Sequence, residues 1–143
     1  MLPPEKFVCI PYPQIDFLIP SDEVVSSVGV KDLNISLLAD QDSGFFDFDE
    51  IASKFIQIPR EAEIKTMIIL QGDEKSHLSI LTTQECRVSI LSLINFRLFS
   101  DFYSEQFKKL GLLACYFMED RLGILMDVNQ MIRYLNDCLG EEL

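Results

Sequence analysis

The sequence predicts a mainly β protein whose strands pair largely as antiparallel hairpins. Short apolar runs of four to seven residues recur along the chain: FVCI, IDFLI, ISLL, TMIIL, HLSIL, RVSILSL, LLACYFM and RLGILM. Turn-forming residues bound these runs, as in Asp-Gln-Asp-Ser-Gly at 40–44 and Gln-Gly-Asp-Glu at 71–74. Because short apolar runs between turn signals are typical of hairpin strands, helices should be few and short.

Size and charge limit the classes of function. The 143 residues suffice for one domain, and the 48% hydrophobic content indicates a folded core. Acidic residues outnumber basic ones 23 to 12, which gives a formal net charge of −11. Nucleic-acid binding needs clustered Lys and Arg, yet Lys108-Lys109 is the only adjacent basic pair. We therefore expect no nucleic-acid partner, and an anionic membrane surface would also repel the chain.

Targeting signals and cysteine spacing bear on the compartment. The sequence begins MLPPEKFVC, without the basic start and apolar stretch of a signal peptide. The apolar run LGLLACYFM is far shorter than a membrane span, so no membrane insertion is expected. The four cysteines form no C-x-x-C pair that would indicate a zinc ribbon or a redox motif. The expectation is a reduced, cytoplasmic protein.

One stretch, residues 96–110, has helical periodicity. Its apolar residues recur at spacings of three and four, and polar residues occupy the other side: Phe96, Phe99, Tyr103, Phe107 and Leu110 form the apolar stripe. The sequence thus predicts an amphipathic helix over 96–110. Its aromatic stripe would either pack on a sheet or dock a partner protein, with Phe99 and Phe102 as candidate contacts.

A motif centred on aspartate occurs twice. FFDFDEIASKF at 45–55 aligns with LMDVNQMIRYL at 125–135, so Asp47 matches Asp127 and Glu50 matches Gln130. An Asp followed three residues later by Glu or Gln, ahead of apolar residues, has the spacing of a capping box. We expect each Asp to end a strand and cap a short helix, which contributes about 0.5–2 kcal/mol, rather than to act in catalysis.

The repeat extends beyond these two motifs. LIPSDEVV, which starts at Leu18, resembles ILTTQECR, which starts at Ile80. These similarities divide the single domain 1–143 into two related β units, about 7–56 and 65–135, followed by an acidic tail at 136–143. Neither unit is large enough to bury its own faces, so we expect the two to pack together or to exchange strands.

Together these motifs resemble the CheW-like domain, the adaptor module of bacterial chemotaxis arrays. DFLIPSDEVVSSV is similar to the family's opening strand and the V-x-x-V stretch after it, and FFDFDEIASKF to its P-V-I-D-L strand and helix. KTMIILQGDEKSHLSILTTQECRVSIL is similar to the family's long hairpin, and LLACYFMEDRLGILMDVNQMIRYL to its closing hairpin and helix. The resemblance covers most of the chain and implies two intertwined SH3-like five-stranded β-barrels.

The resemblance also implies a non-catalytic signalling adaptor that couples chemoreceptors to a CheA-type histidine kinase, or a divergent protein-interaction module of that system. The implied partners are the regulatory domain of that kinase, the cytoplasmic tip of the chemoreceptor, or related CheW-like proteins. The positions that match the family's receptor groove are Val25 and Val28 in the V-x-x-V stretch, and Val88 in the second unit. Two family features are missing, the arginine of an N-L-R-G turn and the aspartate of a V-D-x-V motif. The chain therefore resembles a divergent member.

Enzymatic and ligand-binding functions have less support. No G-x-S-x-G, P-loop, G-x-G-x-x-G or H-E-x-x-H motif is present, and the one histidine, His77, is expected on a solvated strand face with Ser79. No cofactor is expected. The alternative function is a small acidic β-barrel that binds a metal or small ligand at the 40–50 hairpin, whose carboxylates suit calcium or magnesium: Asp40, Asp42, Asp47, Asp49 and Glu50. Self-association through an edge strand is a third alternative.

Overall fold

The computed structural model describes residues 4–29, 45–58, 63–72, 77–99, 101–118 and 120–141. These residues form the strands β1 (Glu5–Tyr12), β2 (Ile15–Pro20), β3 (Val24–Gly29), β4 (Phe45–Asp47), β5 (Thr66–Gln71), β6 (His77–Thr82), β7 (Arg87–Leu91), β8 (Arg97–Leu98), β9 (Leu112–Met118) and β10 (Arg121–Met126). They also form the helices α1 (Asp49–Ala52), α2 (Asp101–Leu110) and α3 (Val128–Glu141), with 3-10 turns at Ser21–Glu23 and Leu93–Asn95. The prediction of a mainly β protein is confirmed.

The described strands form two sheets of six and four strands, rather than five in each. The orders are β7-β1-β2-β10-β9-β8 and β3-β5-β6-β4. Most neighbours are antiparallel, as predicted, but β2 pairs with β10 and β4 with β6 in parallel. Strands β1 to β4 come from the first predicted unit and β5 to β10 from the second, so each sheet contains strands from both. The predicted ISLL strand lies outside the described residues.

The main hydrophobic core combines side chains from both sheets. Ile10, Phe17 and Ile124 come from the six-stranded sheet, and Ile68 and Ile80 from the four-stranded sheet. Helices α1 and α3 add the buried residues Ile51, Ala52, Val128, Met131 and Ile132. Because burial of one such large apolar side chain contributes about 1.5–3 kcal/mol, this shared core fixes the two sheets against each other.

A second cluster covers the opposite face of the six-stranded sheet: Phe7, Cys9, Leu18, Ala114 and Leu125 are its buried members. The link 92–96 joins the two edge strands, and its Leu93 and Phe96 pack against this cluster. A flat sheet of six strands is about 24 Å across. The six steps from Leu91 to Arg97 span at most about 22 Å when fully extended. The two edge strands therefore lie closer together than in a flat sheet.

Two helix boundaries in the structure differ from the predicted ones. The helix predicted over 96–110 begins at Asp101, because Arg97 and Leu98 pair with β9 and so use their backbone groups in the sheet. At the other end, α3 continues to Glu141, so most of the segment 136–143, predicted as an acidic tail, is helical. None of the helices in the described residues is long and apolar enough to cross a membrane.

Gly111 lets the end of α2 approach the start of α3. Its φ of 87° lies in the left-handed region that favours glycine. Its carbonyl accepts a hydrogen bond from the Asp127 amide at 2.7 Å. A Cβ at Gly111 would come within 2.9 Å of the Met131 Cβ, so a larger residue would push the two segments apart.

Candidate protein-interaction site

Among the described strands, the three groove residues implied by the family resemblance lie on those at the sheet edges. Val25 and Val28 are on β3, at the edge of the four-stranded sheet, and Val88 is on β7, at the edge of the six-stranded sheet. Val25 is 54% exposed and Val88 65%, whereas Val28 is partly buried. The pairing of β3 also shifts register between Val24 and Ser26, and such bulges re-aim side chains. Val25 and Val88 are thus available at the surface.

Ile90 extends the exposed surface of β7 and was not predicted. Val88 pairs with Val8 and Ile90 with Lys6 in β1, so both side chains lie on one face of β7. Ile90 is also largely exposed. Edge strands that expose apolar residues tend to pair with other chains unless charges or bulges protect them. The apolar residues of the run RVSILSL are compatible with an exposed edge strand, but they are equally compatible with a strand that is buried on both faces.

Phe99 packs partly inward. It precedes α2, and its ring centre lies 4.8 Å from that of Phe107. Phe107 lies 5.9 Å from Phe55, which lies 6.2 Å from Phe17 in the main core. Phe102 is in α2, but its side chain is outside the described residues. Packing therefore accounts for Phe99, and a docking role for Phe99 and Phe102 stays a prediction.

A groove of about 570 Å³ opens beside β9. The link 92–96 lines it together with Tyr116 and Phe117. Phe117 is 80% exposed, and Ile94 is also exposed. The groove could not be predicted from the sequence, because LLACYFM is uniformly apolar and the link becomes part of the lining only once β7, β8 and β9 are in place.

Both predicted capping aspartates accept a backbone hydrogen bond at the start of a helix. The Asp49 amide donates to Asp47 Oδ1 at 2.9 Å, and the Gln130 amide donates to Asp127 Oδ1 at 3.2 Å. These bonds satisfy amides that the helix itself leaves free. In the described part of the chain, no hydrogen bond runs from the Glu50 or Gln130 side chain back to these aspartates. Asp127 is thus a one-way cap of α3. The N-cap residue of α1 is Phe48, which forms no side-chain capping bond, so the prediction that Asp47 caps this helix is wrong.

Asp49, considered above as a metal ligand, is turned into the protein. It is 7% exposed and accepts hydrogen bonds from the hydroxyl groups of Tyr12, Thr82 and Thr83. The oxygen–oxygen distances are 3.1 Å for Thr82 and 2.6 Å for Thr83. Tyr12 ends β1 in one sheet and Thr82 ends β6 in the other. The network therefore joins the two sheets through α1.

The phenol of Tyr12 is a stable donor in this network. Burial raises the pKa of Tyr12 above its ordinary value, and its hydrogen bond to Asp49 raises the pKa further. The phenol oxygen also lies 3.1 Å from Thr82 Oγ1. Because the protonated phenol and the threonine hydroxyls all have protons to donate, the carboxyl group of Asp49 is satisfied without a cation.

The described residues that were considered for metal binding do not form a cation site. Among the described residues, no group of three or more His, Cys, Asp or Glu side chains could hold a metal ion. Asp40 and Asp42 lie outside the described residues. Glu50 is exposed, whereas Asp47 and Asp49 take part in the hydrogen bonds given above.

The expectation for the histidine strand is half wrong. His77 is exposed, as expected, but Ser79 is buried. Strand β6 lies between β5 and β4, and its alternate residues Leu78 and Ile80 belong to the main core. Both faces of β6 are therefore covered, which the alternation of polar and apolar residues did not indicate.

A second buried carboxyl group, Asp16, is bound by arginine. Arg121 donates from Nε to Asp16 Oδ2 at 3.1 Å, from Nη2 to Asp16 Oδ1, and from Nη2 to the Tyr12 carbonyl at 2.8 Å. Arg87 Nη2 lies 3.7 Å from Asp16 Oδ2. The hydrogen bond to Asp16 raises the pKa of Arg121. These contacts tie β2, β7 and β10 together within one sheet.

Comparison with known proteins finds a similar structure but no similar sequence. No protein-family model and no curated protein matches the sequence. The structure is similar to the crystal structure of the scaffolding protein TtCheW from Thermoanaerobacter tengcongensis, with a TM-score of 0.57. The match covers 86% of this chain and 88% of TtCheW, at 9% sequence identity. The fold is CheW-like. The resemblance seen in the motifs is thus confirmed at the level of the fold.

Proposed function

We propose that the protein is a non-catalytic, cytoplasmic adaptor of the CheW type that binds a CheA-type kinase regulatory domain and a chemoreceptor tip. The observation that carries the proposal is the CheW-like fold with Val25 and Val88 exposed at the positions that match the family's groove. A fold alone does not define a function, so these exposed side chains are the necessary second support.

The adaptor would act by holding two partners in fixed relative positions. The shared core and the Asp49 network join the two sheets, so contacts made on β3 and on β7 would keep their separation. Burial of the exposed parts of Val25, Val88 and Ile90 would contribute about 25 cal/mol per Å² of apolar surface. No reacting group is needed for this role.

The proposal also includes the way in which the two sheets close into barrels. We infer that each sheet belongs to an SH3-like barrel, and that the six-stranded sheet closes around its second cluster. The short link between β7 and β8 supports closure of the six-stranded sheet. The sequence ISLLADQDSGFF has acidic residues and no arginine where the family has its N-L-R-G motif, so we expect the receptor preference to differ from that of CheW proteins that carry the arginine.

Titration calorimetry against the regulatory domain of the CheA-type kinase from the same genome tests the proposal. We expect a dissociation constant in the micromolar range, which corresponds to about −8 kcal/mol. Val88→Asp should weaken binding at least tenfold, because it places a charge in an apolar contact. Its thermal melt should match that of the wild type, because the Val88 side chain is already exposed.

A control variant separates this contact from the effect of added charge. Gln106→Glu adds the same negative charge on an exposed position of α2 and should bind like the wild type. Absence of heat from the folded wild-type protein with both the kinase domain and the chemoreceptor tip would contradict the proposal. Unfolding of Val88→Asp would show instead that Val88 belongs to the core.

A further inference from the structure

We propose that the groove beside β9 is a second docking site, which takes a short helix of a partner protein with an acidic residue beside its apolar ones. The inference rests on the proposed adaptor function and adds a partner site to it. The groove is lined by Leu91 at the end of β7, by residues of the link 92–96, by Arg97 and by β9, and its lining includes none of Val25, Val28 and Val88.

The groove has the size and surface of a binding cleft. Its volume of about 570 Å³ falls within the range of about 300–1,000 Å³ typical of such clefts. Phe96 and Tyr116 meet edge to face in its lining, with ring centres 4.8 Å apart. Phe117 and Ile94 are 80% and 72% exposed. Exposed apolar residues gathered at one concave surface are typical of interaction sites.

Charge identifies the chemistry of the partner. The protein has 23 acidic residues, yet none occurs between Cys86 and Ser100, where the only charged residues are Arg87 and Arg97. Strand β9 has no charged residue at all. Arg97 lines the groove, is exposed and forms no ion pair within the described residues, whereas Arg87 reaches Asp16. A carboxylate from a partner would therefore complement Arg97.

The shape of the lining favours a helix over a strand or a second copy. Strand β8 has only two residues and Leu93–Asn95 is a 3-10 turn, so the groove offers no row of free backbone groups for an added strand. Recognition must then occur through side chains, as when an amphipathic helix lies in a groove. The net charge of −11 opposes association of two copies of this chain.

Selection from a displayed library of helix-forming peptides, each about four turns long and randomised on one face, tests the inference on the full-length protein. We expect enrichment of peptides that combine Leu or Phe with Asp or Glu one turn away. Phe117→Ser should reduce binding of the selected peptides at least tenfold. Arg97→Glu should change the preferred charge from acidic to basic. Lys108→Glu makes the same charge change on exposed α2, away from the groove, and should leave the selection unchanged.

Other outcomes would overturn the inference. These are equal enrichment on the wild type and Phe117→Ser, an acidic preference that survives Arg97→Glu, or selected peptides that bind as extended strands and are lost with Ile90→Asp. The kinase titration separates this inference from the proposed function. Kinase binding without peptide enrichment would reject the groove alone, whereas enrichment without kinase or receptor binding would reject the CheW-type partners and keep the groove.

Discussion

Two carboxyl groups in this protein are equally buried but have different partners. Asp16 and Asp49 are each 7% exposed. Asp49 accepts hydrogen bonds from neutral hydroxyl groups, whereas Asp16 is bound by the guanidinium of Arg121 with Arg87 nearby. A guanidinium adds the attraction of a second charge and two parallel hydrogen bonds, which neutral hydroxyl donors do not provide. Bond strength alone would therefore make Asp16 the more important of the two.

The exposure of the partners reverses that order. The side chains of Arg121 and Arg87 are 38% and 58% exposed, so water can replace Asp16 if it is removed. Tyr12, Thr82 and Thr83 are buried, so their hydroxyl groups would lose an acceptor that water cannot readily replace. The loss of stability on removing a buried carboxyl group thus depends mainly on whether its former partners can form hydrogen bonds with water instead.

The two sites also differ in what they hold together. The Asp49 network connects β1 of the six-stranded sheet to β6 of the four-stranded sheet, whereas Asp16 connects strands within one sheet. The proposed adaptor function would depend on the relative position of the two sheets, because the proposed contacts are divided between β3 and β7. Asp49 is therefore the residue whose loss should affect both stability and the geometry of binding.

The largest effect is expected for Asp49→Ala. We predict a loss of about 3 kcal/mol in the free energy of unfolding, because three buried hydroxyl groups lose their acceptor. Urea denaturation followed by circular dichroism measures it. Asp49→Asn keeps one acceptor oxygen and should lose about half as much. A loss for Asp49→Ala no greater than that for Asp16→Ala would contradict the argument from partner exposure.

The positions of most strands could be predicted from the sequence, whereas the pairing of those strands in the sheets could not. The apolar runs identify β1, β2, β5, β6, β7, β9 and β10, because strand patterns are local. The parallel pairings of β2 with β10 and β4 with β6 could not be predicted, because they join segments far apart in sequence. The predicted start of α2 was wrong for the same reason, because Arg97 and Leu98 pair with β9 instead of joining the helix.

The site residues show the same contrast between local sequence patterns, which could be read, and contacts between distant segments, which could not. Val25 and Val88 came from motif resemblance, and their exposure could not be known until β3 and β7 were placed at sheet edges. Asp49 was considered only as a metal ligand, because its hydroxyl partners are separated from it by 33 to 37 residues. Asp16, inside the apolar run IDFLI, was a visible signal of a buried carboxyl group. Its partner Arg121, 105 residues away, was not.

A smaller effect is expected for Tyr12→Phe, which removes one of the three donors to Asp49. We predict a loss of about 1 kcal/mol near pH 7, because Thr82 and Thr83 remain as donors. The pKa of Tyr12 is raised in the folded protein above its unfolded value of about 10. This contribution to stability is therefore complete below about pH 10 and decreases as the pH rises further.

Urea denaturation of both proteins from about pH 7 to pH 11 measures this contribution. The wild type should lose stability more steeply than Tyr12→Phe at the alkaline end of the range. The buried thiols, whose pKa values are also raised, are present in both proteins, so their effects cancel in the difference. Parallel pH curves for the two proteins would show that the phenol does not titrate differently in the folded state.

The smallest effect is expected for Asp16→Asn. The substitution keeps one acceptor oxygen for Arg121, and both arginines can turn to water, so we predict a loss below about 1 kcal/mol. Because salt screens exposed charges, the difference in unfolding free energy between wild type and variant should shrink between about 0.05 and 0.5 M NaCl. The matched substitution Asp49→Asn, among uncharged donors, should lose more at either salt concentration. If Asp16→Asn costs as much as Asp49→Asn and the cost is independent of salt, then the arginines are held as rigidly as the buried hydroxyl groups, and partner exposure does not explain the difference between the two sites.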